Sequence, residues 1–217
     1  FLIAAVRMVV QLLLVGIVLT TLFSLVSPFW TGIAPLLMIL FAGREIMIRQ
    51  ERRLTGVWAY SLGTSCMLVA ATLITVFALT TQVRPDPWYH PRYGLPLLGM
   101  ILGNTMTGIS LGLHALTTGL LREREGIEAQ LSLGATRREA LLPVTRSAMR
   151  NALMPIVNAM AATGLVALPG MMTGQVLAGV SPLIAARYQI LVMCMLFGSS
   201  GIAAACYLYW SRPLRHA

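Results

Sequence analysis

The chain has 217 residues, of which 57% are apolar and only 11% charged; its mean hydropathy is +0.78 and its formal net charge +9. A soluble domain carries about 25% charged residues, so this chain has too few to cover a water-facing surface. Disordered, collagen-like and disulfide-scaffold classes fall to the same numbers, which leaves a polytopic membrane protein.

All sixteen basic residues are Arg. A P-loop needs a Lys that reaches the β- and γ-phosphates, so the chain has no ATPase site of this kind, and Schiff-base chemistry on Lys is excluded too. Any ATP-driven work must borrow its ATPase from another polypeptide. The basic residues lie between apolar stretches, where membrane topology uses them, and do not point to nucleic acid. Cys66, Cys194 and Cys206 each fall in an apolar stretch and form no C-x-x-C pair, which argues against a disulfide framework or a zinc site. Residue 1 is Phe within an apolar run, so the natural N-terminus is expected further upstream.

A bilayer span takes about 20 mostly apolar residues, and the sequence predicts six, over roughly 2–25, 31–48, 57–80, 94–118, 153–178 and 188–210. The expected fold is an all-α polytopic helix bundle, a single transmembrane domain over 1–217. Pro28, Pro35, Pro96, Pro155 and Pro182 are expected at span ends, where a lost N–H costs least.

In the first span Arg7 and Gln11 share a helical face, with Arg7 near enough to the edge to snorkel. The second is short and carries Arg44 and Glu45 near its end. The loop after the third holds Trp88, Tyr89 and Tyr93, which read as an interfacial aromatic belt. The fourth contains Asn104 and two G-x-x-x-G patterns, Gly99/Gly103 and Gly108/Gly112; these permit close helix approach and suit a packing or dimer seam. Gly108-Ile109-Ser110-Leu111-Gly112, with His114 beyond, matches G-x-S-x-G. A nucleophile elbow needs a strand-to-helix turn, which the interior of a span does not offer.

Residues 119–152 concentrate most of the remaining charge. Ile127 and Leu131, at i and i+4 among Glu and Arg, predict an amphipathic surface helix over 122–133. Gly134 ends it as a left-handed residue would. Thr136 and Glu139 form a T-x-x-E capping box that starts a second helix, which Pro143 should limit or kink. Helix, Gly and capped helix make a short rigid elbow, either a plain connector or a docking projection.

The fifth span is interrupted at Pro169-Gly170, before Met171 and Met172. Broken helices often line a substrate path, because freed backbone groups are tolerated only beside protein or a cavity. Thioethers suit soft ions more than hard ones, yet Met also fills irregular packing gaps. Gln11, Asn104, Asn158, Gln175 and Gln189 lie within spans and should bond across helices or face a cavity. No cluster of His, Cys, Asp or Glu has metal-ligand spacing, so a metal site is not assigned.

Thirteen Arg fall on one side of this arrangement. They are Arg7; the group from Arg44 to Arg53; the group from Arg122 to Arg150; and Arg212 and Arg215. Arg84, Arg92 and Arg187 fall on the other side. The positive-inside rule puts the thirteen in the cytoplasm.

Glu128-Ala129 followed by Gly134 resembles the E-A-A-x-x-x-G opening of the coupling loop in ABC-transporter permeases, with Gln130 in place of the second Ala. Ser132-Leu133-Gly134-Ala135-Thr136 resembles the L-G-A-[ST] stretch of other ABC membrane subunits. The run Thr163–Gly174, the segments Ala178–Pro182 and Arg187–Ile190, and Gly103-Asn104 resemble the FetB-type family of bacterial permeases, described as iron exporters, with plant relatives linked to aluminium tolerance. The likeness runs from about residue 5 to 210.

The resemblance implies a multi-pass permease of the bacterial inner (plasma) membrane, with seven spans and an external N-terminus in the full-length protein. It implies a partner ABC ATPase in the cytoplasm that uses the ATP, no cofactor on this chain itself, and pairing of two permease copies. Glu128, Ala129, Gly134, Ala135, Thr136, Arg137 and Arg138 would contact the ATPase, or anionic lipid headgroups in the case of the two Arg. Asn104, Pro169, Gly170, Met171, Met172 and Gln175 would line or gate the path. The implied function is export of an iron-like metal ion or a metal-linked solute. The alternatives are an ATPase-independent channel or secondary transporter, an intramembrane hydrolase using Ser110 and His114, and a subunit that relays ATPase motion to an external enzyme.

Overall fold

The computed structural model describes residues 2–25, 28–48, 57–83 and 91–210. Helices α1 (Leu2–Leu25), α2 (Pro28–Ile48) and α3 (Val57–Phe77) are followed by a π-helical extension, Ala78–Val83. Then come α4 (Pro91–Arg122), α5 (Arg124–Ser132), α6 (Arg137–Ala162), α7 (Gly170–Leu177) and α8 (Pro182–Trp210). The fold is all-α as predicted; among the described residues the only strand-like pairing is a single bridge between Thr163 and Ala167. The loops carrying Arg49, Arg52 and Arg53, and Arg84, Trp88 and Tyr89, lie outside the described residues, as do Arg212 and Arg215.

Four helical stretches are long and apolar enough to cross a membrane among the described residues: Ala5–Ser24, Thr64–Thr81, Pro91–Arg122 and Pro182–Cys206. The expected second span is a 21-residue helix carrying Arg44 and Glu45. The expected fifth is two helices separated by residues 163–169.

The prolines depart from expectation. Pro28 and Pro182 do open α2 and α8, but Pro35, Pro96, Pro143 and Pro155 lie inside helices. In particular α6 runs through Pro143 for 26 residues, so the second arm of the elbow is long rather than short. Each proline in α6 frees the carbonyl four residues back. Those carbonyls belong to Glu139 and Asn151, both exposed residues, where the loss is least costly.

Helix α4 is the hub: α2, α3, α6 and α8 all pack on it. The main core joins Cys66, Met67, Ala70 and Ala71 of α3, Ile101, Ile109 and Leu113 of α4, and Val192, Leu196 and Ala203 of α8. Against α6 the packing is of another kind. A Cβ added at Gly108 would lie 3.0 Å from the Ala152 carbonyl oxygen, and one at Gly112 would lie 2.9 Å from Ala152 Cβ. One at Gly119 would meet Val144 Cγ1 at 2.9 Å. The buried row of α6, Ala140, Val144, Ala148, Ala152 and Ile156, repeats every four residues. The Gly108/Gly112 pattern is therefore filled by α6 of the same chain. A Cβ added at Gly99 would lie 3.3 Å from the Met38 methyl of α2, whereas one at Gly103 would meet nothing within 4 Å.

Two contacts fix which helix ends share a level. Arg7 of α1 pairs with Glu45 of α2 at 3.5 Å, and the Arg92 guanidinium at the start of α4 lies 6.0 Å from the centre of the Phe23 ring near the end of α1. Apart from these, α1 is exposed along its length, with Ile3, Leu12, Leu13 and Ile17 all more than 60% open. An apolar helix bare on all sides fits hydrocarbon, not water.

The seam makes a direct prediction. Gly112→Val should cost about 1–3 kcal/mol through overpacking, read as a lowered melting temperature in detergent. Gly103→Ala, with room for its Cβ, should leave the melting temperature unchanged or raise it slightly. Gly112→Ala should be partly rescued by Ala152→Gly, because the clashing atom is then gone.

Candidate functional site

The first candidate is the projection between α4 and α6. Its base is a small apolar cluster of Leu116, Val144 and Ala148, onto which Ile127 of α5 packs half-buried. This one contact point orients α5; Leu131, one turn on, stays 42% exposed. The Arg124 Nε–H donates to Glu128 Oε1 at 2.7 Å on the open face. That bond and the neighbouring carboxylate charge hold the guanidinium above its usual range.

Helix α5 ends in a Schellman motif. The Gly134 N–H donates to the Leu131 carbonyl at 3.1 Å and the Ala135 N–H to the Gln130 carbonyl at 3.0 Å. This closure needs Gly134 in the left-handed region, φ +89°. Two residues on, the capping box is complete. The Thr136 N–H and hydroxyl donate to Glu139 Oε2 at 2.9 and 2.7 Å, and the Glu139 N–H donates to Thr136 Oγ1 at 3.4 Å. Between the two closures Leu133 stands 88% exposed. The tip is thus an ordered turn presenting an apolar residue, flanked by Glu128, Arg137 and Arg138, all exposed.

The second candidate is the break between α6 and α7. The chain leaves α6 with Val166 and Ala167 N–H groups both donating to the Ala162 carbonyl, and the Gly164 N–H donating to the Ala167 carbonyl at 3.0 Å. Gly164 takes φ +86° to permit this loop. Helix α7 then starts at Gly170 behind Pro169 and closes in a second Schellman motif at Gly179, φ +87°. Where the break faces α8 it opens a cleft of about 430 Å³, lined by Met160, Thr163 and Met172 with Gln189, Met193 and Cys194 among others. Gln189 is only 5% exposed, and its Oε1 has no hydrogen-bond partner.

Of the six residues expected along a path, Met172 lines this cleft. Pro169 and Gly170 form the start of α7 beside it. Met171 is 37% exposed and is not among the lining residues. Asn104 sits on α4, where its amide donates to the Met100 carbonyl at 2.9 Å, and the Gln175 Oε1 is buried without a partner. Sequence reasoning missed Met160 and Met193 as lining residues. The signal lay in spacing: Met160 falls three residues before Thr163, and Gln189 four before Met193, so each pair shares a helical face.

The G-x-S-x-G match has no elbow. Ser110 lies within α4, its Oγ buried and unpartnered, and His114 is exposed.

With this geometry in place, comparison with known proteins is decisive. The model of the uncharacterised protein family UPF0014 matches residues 1–214. The chain belongs to that family. It is 40% identical over 194 residues, 88% of this chain and 73% of the relative, to the UPF0014 membrane protein slr1647 of Synechocystis. It is 32% identical over 208 residues to the protein named "Probable iron export permease protein FetB" of Escherichia coli, covering 95% of this chain and 78% of that one. It is also 32% identical over 207 residues, 94% of this chain and 73% of the relative, to Protein ALUMINUM SENSITIVE 3 of Arabidopsis thaliana. No solved structure matches. The UPF0014 chain is a multi-pass membrane protein, and its resemblance to the FetB-type permeases is real.

The capping box sets a pH dependence. Bonds from the Thr136 hydroxyl and N–H hold the Glu139 carboxyl below its usual range. A depressed native pKa stabilises the fold above the ordinary carboxylate value of about 4.3 and loses that contribution as pH falls through the lower native value. The protection of the first-turn amides of α6 against hydrogen exchange, taken relative to the unstructured rate at each pH, should therefore fall below about pH 4 in the wild type. Glu139→Gln should exchange faster at neutral pH and lose that pH response.

Proposed function

We propose that this UPF0014 protein is the membrane-spanning subunit of an ABC-type exporter, powered by a separate cytoplasmic ATPase and working as a pair of permease copies in the plasma membrane. In this reading the single domain crosses the membrane six times, through α1, α2, α3, α4, α6 with α7, and α8. The Arg-rich end faces the cytoplasm. The observation that carries the proposal is the projection from Glu128 to Arg138, closed by a Schellman motif on one side and a capping box on the other, with Leu133 exposed at its tip.

A soluble motor can push on membrane helices only through a stiff, accessible part. The elbow is stiff because both helix ends are satisfied by their own side chains and backbone. It connects without interruption into α6, which leads to the divided segment and its cleft. Leu133 and Ala135 suit an apolar notch on the ATPase, and Arg137 and Arg138 suit acidic residues around it. The cargo that fits the family comparison is a metal ion, iron-like, or a metal-linked solute. That assignment comes from a relative's name rather than from this chain's residues.

Co-purification of the full-length protein with the ATPase encoded beside it tests the reading. The wild-type pair should form a complex whose ATP turnover depends on the permease. Leu133→Asp should abolish complex formation while leaving the melting temperature of the permease alone unchanged, since the Leu133 side chain is 88% exposed. Gly134→Pro should also abolish complex formation, here by destroying the turn, because Pro fixes φ near −65° and removes the donor to Leu131. A wild-type permease that neither binds the ATPase nor alters its turnover would overturn the coupling assignment.

A further inference from the structure

We infer that the cleft between the α6–α7 break and α8 is a transit site for a soft, thiophilic monovalent cation of the Cu(I) type, held by the sulfurs of Met160, Met172, Met193 and Cys194. Four sulfur-bearing side chains from three separate segments line one cleft. They come from the end of α6, the start of α7 and the outer turns of α8. Soft sulfur ligands suit Cu(I), Zn and iron–sulfur clusters, and a set dominated by neutral thioethers favours the monovalent Cu(I), whereas hard cations require carboxylate, carbonyl or water oxygens. Asp, Glu and His are absent from the described residues lining the cleft. No group of three or more His, Cys, Asp or Glu able to hold a metal exists anywhere among the described residues.

The second observation is Gln189. The residue is 5% exposed and its amide oxygen is buried without a partner, a costly state in an apolar setting. Gln189 lines the same cleft as the sulfurs. Its oxygen is itself buried, so an ion in the cleft reaches it only when the side chain turns. The Thr163 hydroxyl donates its proton to the Ala159 carbonyl at 2.6 Å, which leaves its oxygen lone pairs available on the same wall.

The geometry suits passage rather than storage. At about 430 Å³ the cleft is far larger than a bare ion. Met side chains, unbranched with three rotatable bonds, can swing onto an ion and release it. The left-handed Gly164 has no Cβ and nothing within 4 Å of where one would lie, so the mouth beside it stays open. Binding here replaces the iron-like cargo of the relative's name with a soft-ion class, and rests on the export reading only for the ion's being cargo; binding is measured without any ATPase. Failure of one therefore leaves the other standing.

The test is anaerobic competition for Cu(I), kept reduced, between the purified full-length protein and a chromogenic chelator. The wild type should take one Cu(I) per chain from the chelator. The triple variant Met160→Leu, Met172→Leu, Met193→Leu should bind it more weakly by about tenfold or more. Leu conserves volume, so the fold should persist; should the triple variant aggregate, Met172→Leu and Cys194→Ser, each alone, take its place and should each weaken binding. Cys66→Ser with Cys206→Ser, which removes the thiols away from the cleft, should keep the wild-type affinity. X-ray absorption of the loaded protein should show sulfur neighbours that decrease in the Leu variants. The inference is overturned if the wild type fails to compete, or if the Leu variants match its affinity. Loss of binding in the Cys66/Cys206 variant with the cleft intact, or displacement of Cu(I) by excess Al(III), overturns it as well.

Discussion

The rest of the molecule depends on how closely α4 and α6 approach. Where Gly108, Gly112 and Gly119 meet Ala152, Ala148 and Val144, there is no room for a further methyl group. In hydrocarbon the solvent is as apolar as Leu, so helices associate through close packing and not by fleeing water. Small residues let the two backbones come near enough for dispersion contacts to accumulate. That contact fixes α6 against the hub helix. Through the adjoining cluster of Leu116, Val144, Ala148 and Ile127 it also fixes where α5 and the elbow stand.

Each end of α6 departs from regular helix in its own way, and each departure rebonds part of the freed backbone. At the start, Thr136 and Glu139 exchange hydrogen bonds in a setting open to water. At the finish, residues 163–167 fold back so that freed N–H groups find the Ala162 and Ala167 carbonyls. The Thr163, Gly164, Val166 and Ala167 N–H groups are thus all bonded to backbone carbonyls. What is left over belongs to side chains, the Gln189 and Gln175 amide oxygens among them.

Much of this was legible in the sequence. Charge content alone gave a membrane protein, and the Arg-only basic set excluded a P-loop. The elbow was readable almost residue by residue, because capping and Schellman closures use short-range chemistry: Gly134, Thr136 and Glu139 carry their own geometry. The break after α6 showed in Pro169-Gly170 for the same reason. The prolines within helices were not legible, since the cost of Pro143 and Pro155 depends on whether the orphaned carbonyls face open space, a tertiary fact. The partner of the Gly108/Gly112 face was hidden likewise; a small-residue pattern says that something comes close, not which helix does. The cleft was the least visible, because its residues join three segments that only the fold brings together. The number of spans was blurred by Arg44 and Glu45 in α2 and by the polar first half of α6.

The seam has a mechanical consequence. Helix α6 extends about 39 Å at 1.5 Å per residue. Its tight contacts, Val144 to Ala152, lie near the middle. The buried row continues past them on both sides, from Ala140 to Ile156, so the helix is gripped along most of its length. A rod held at four-residue intervals resists tilting. A push at Thr136 large enough to move α6 must therefore carry the packed faces of α4 and α8 with it.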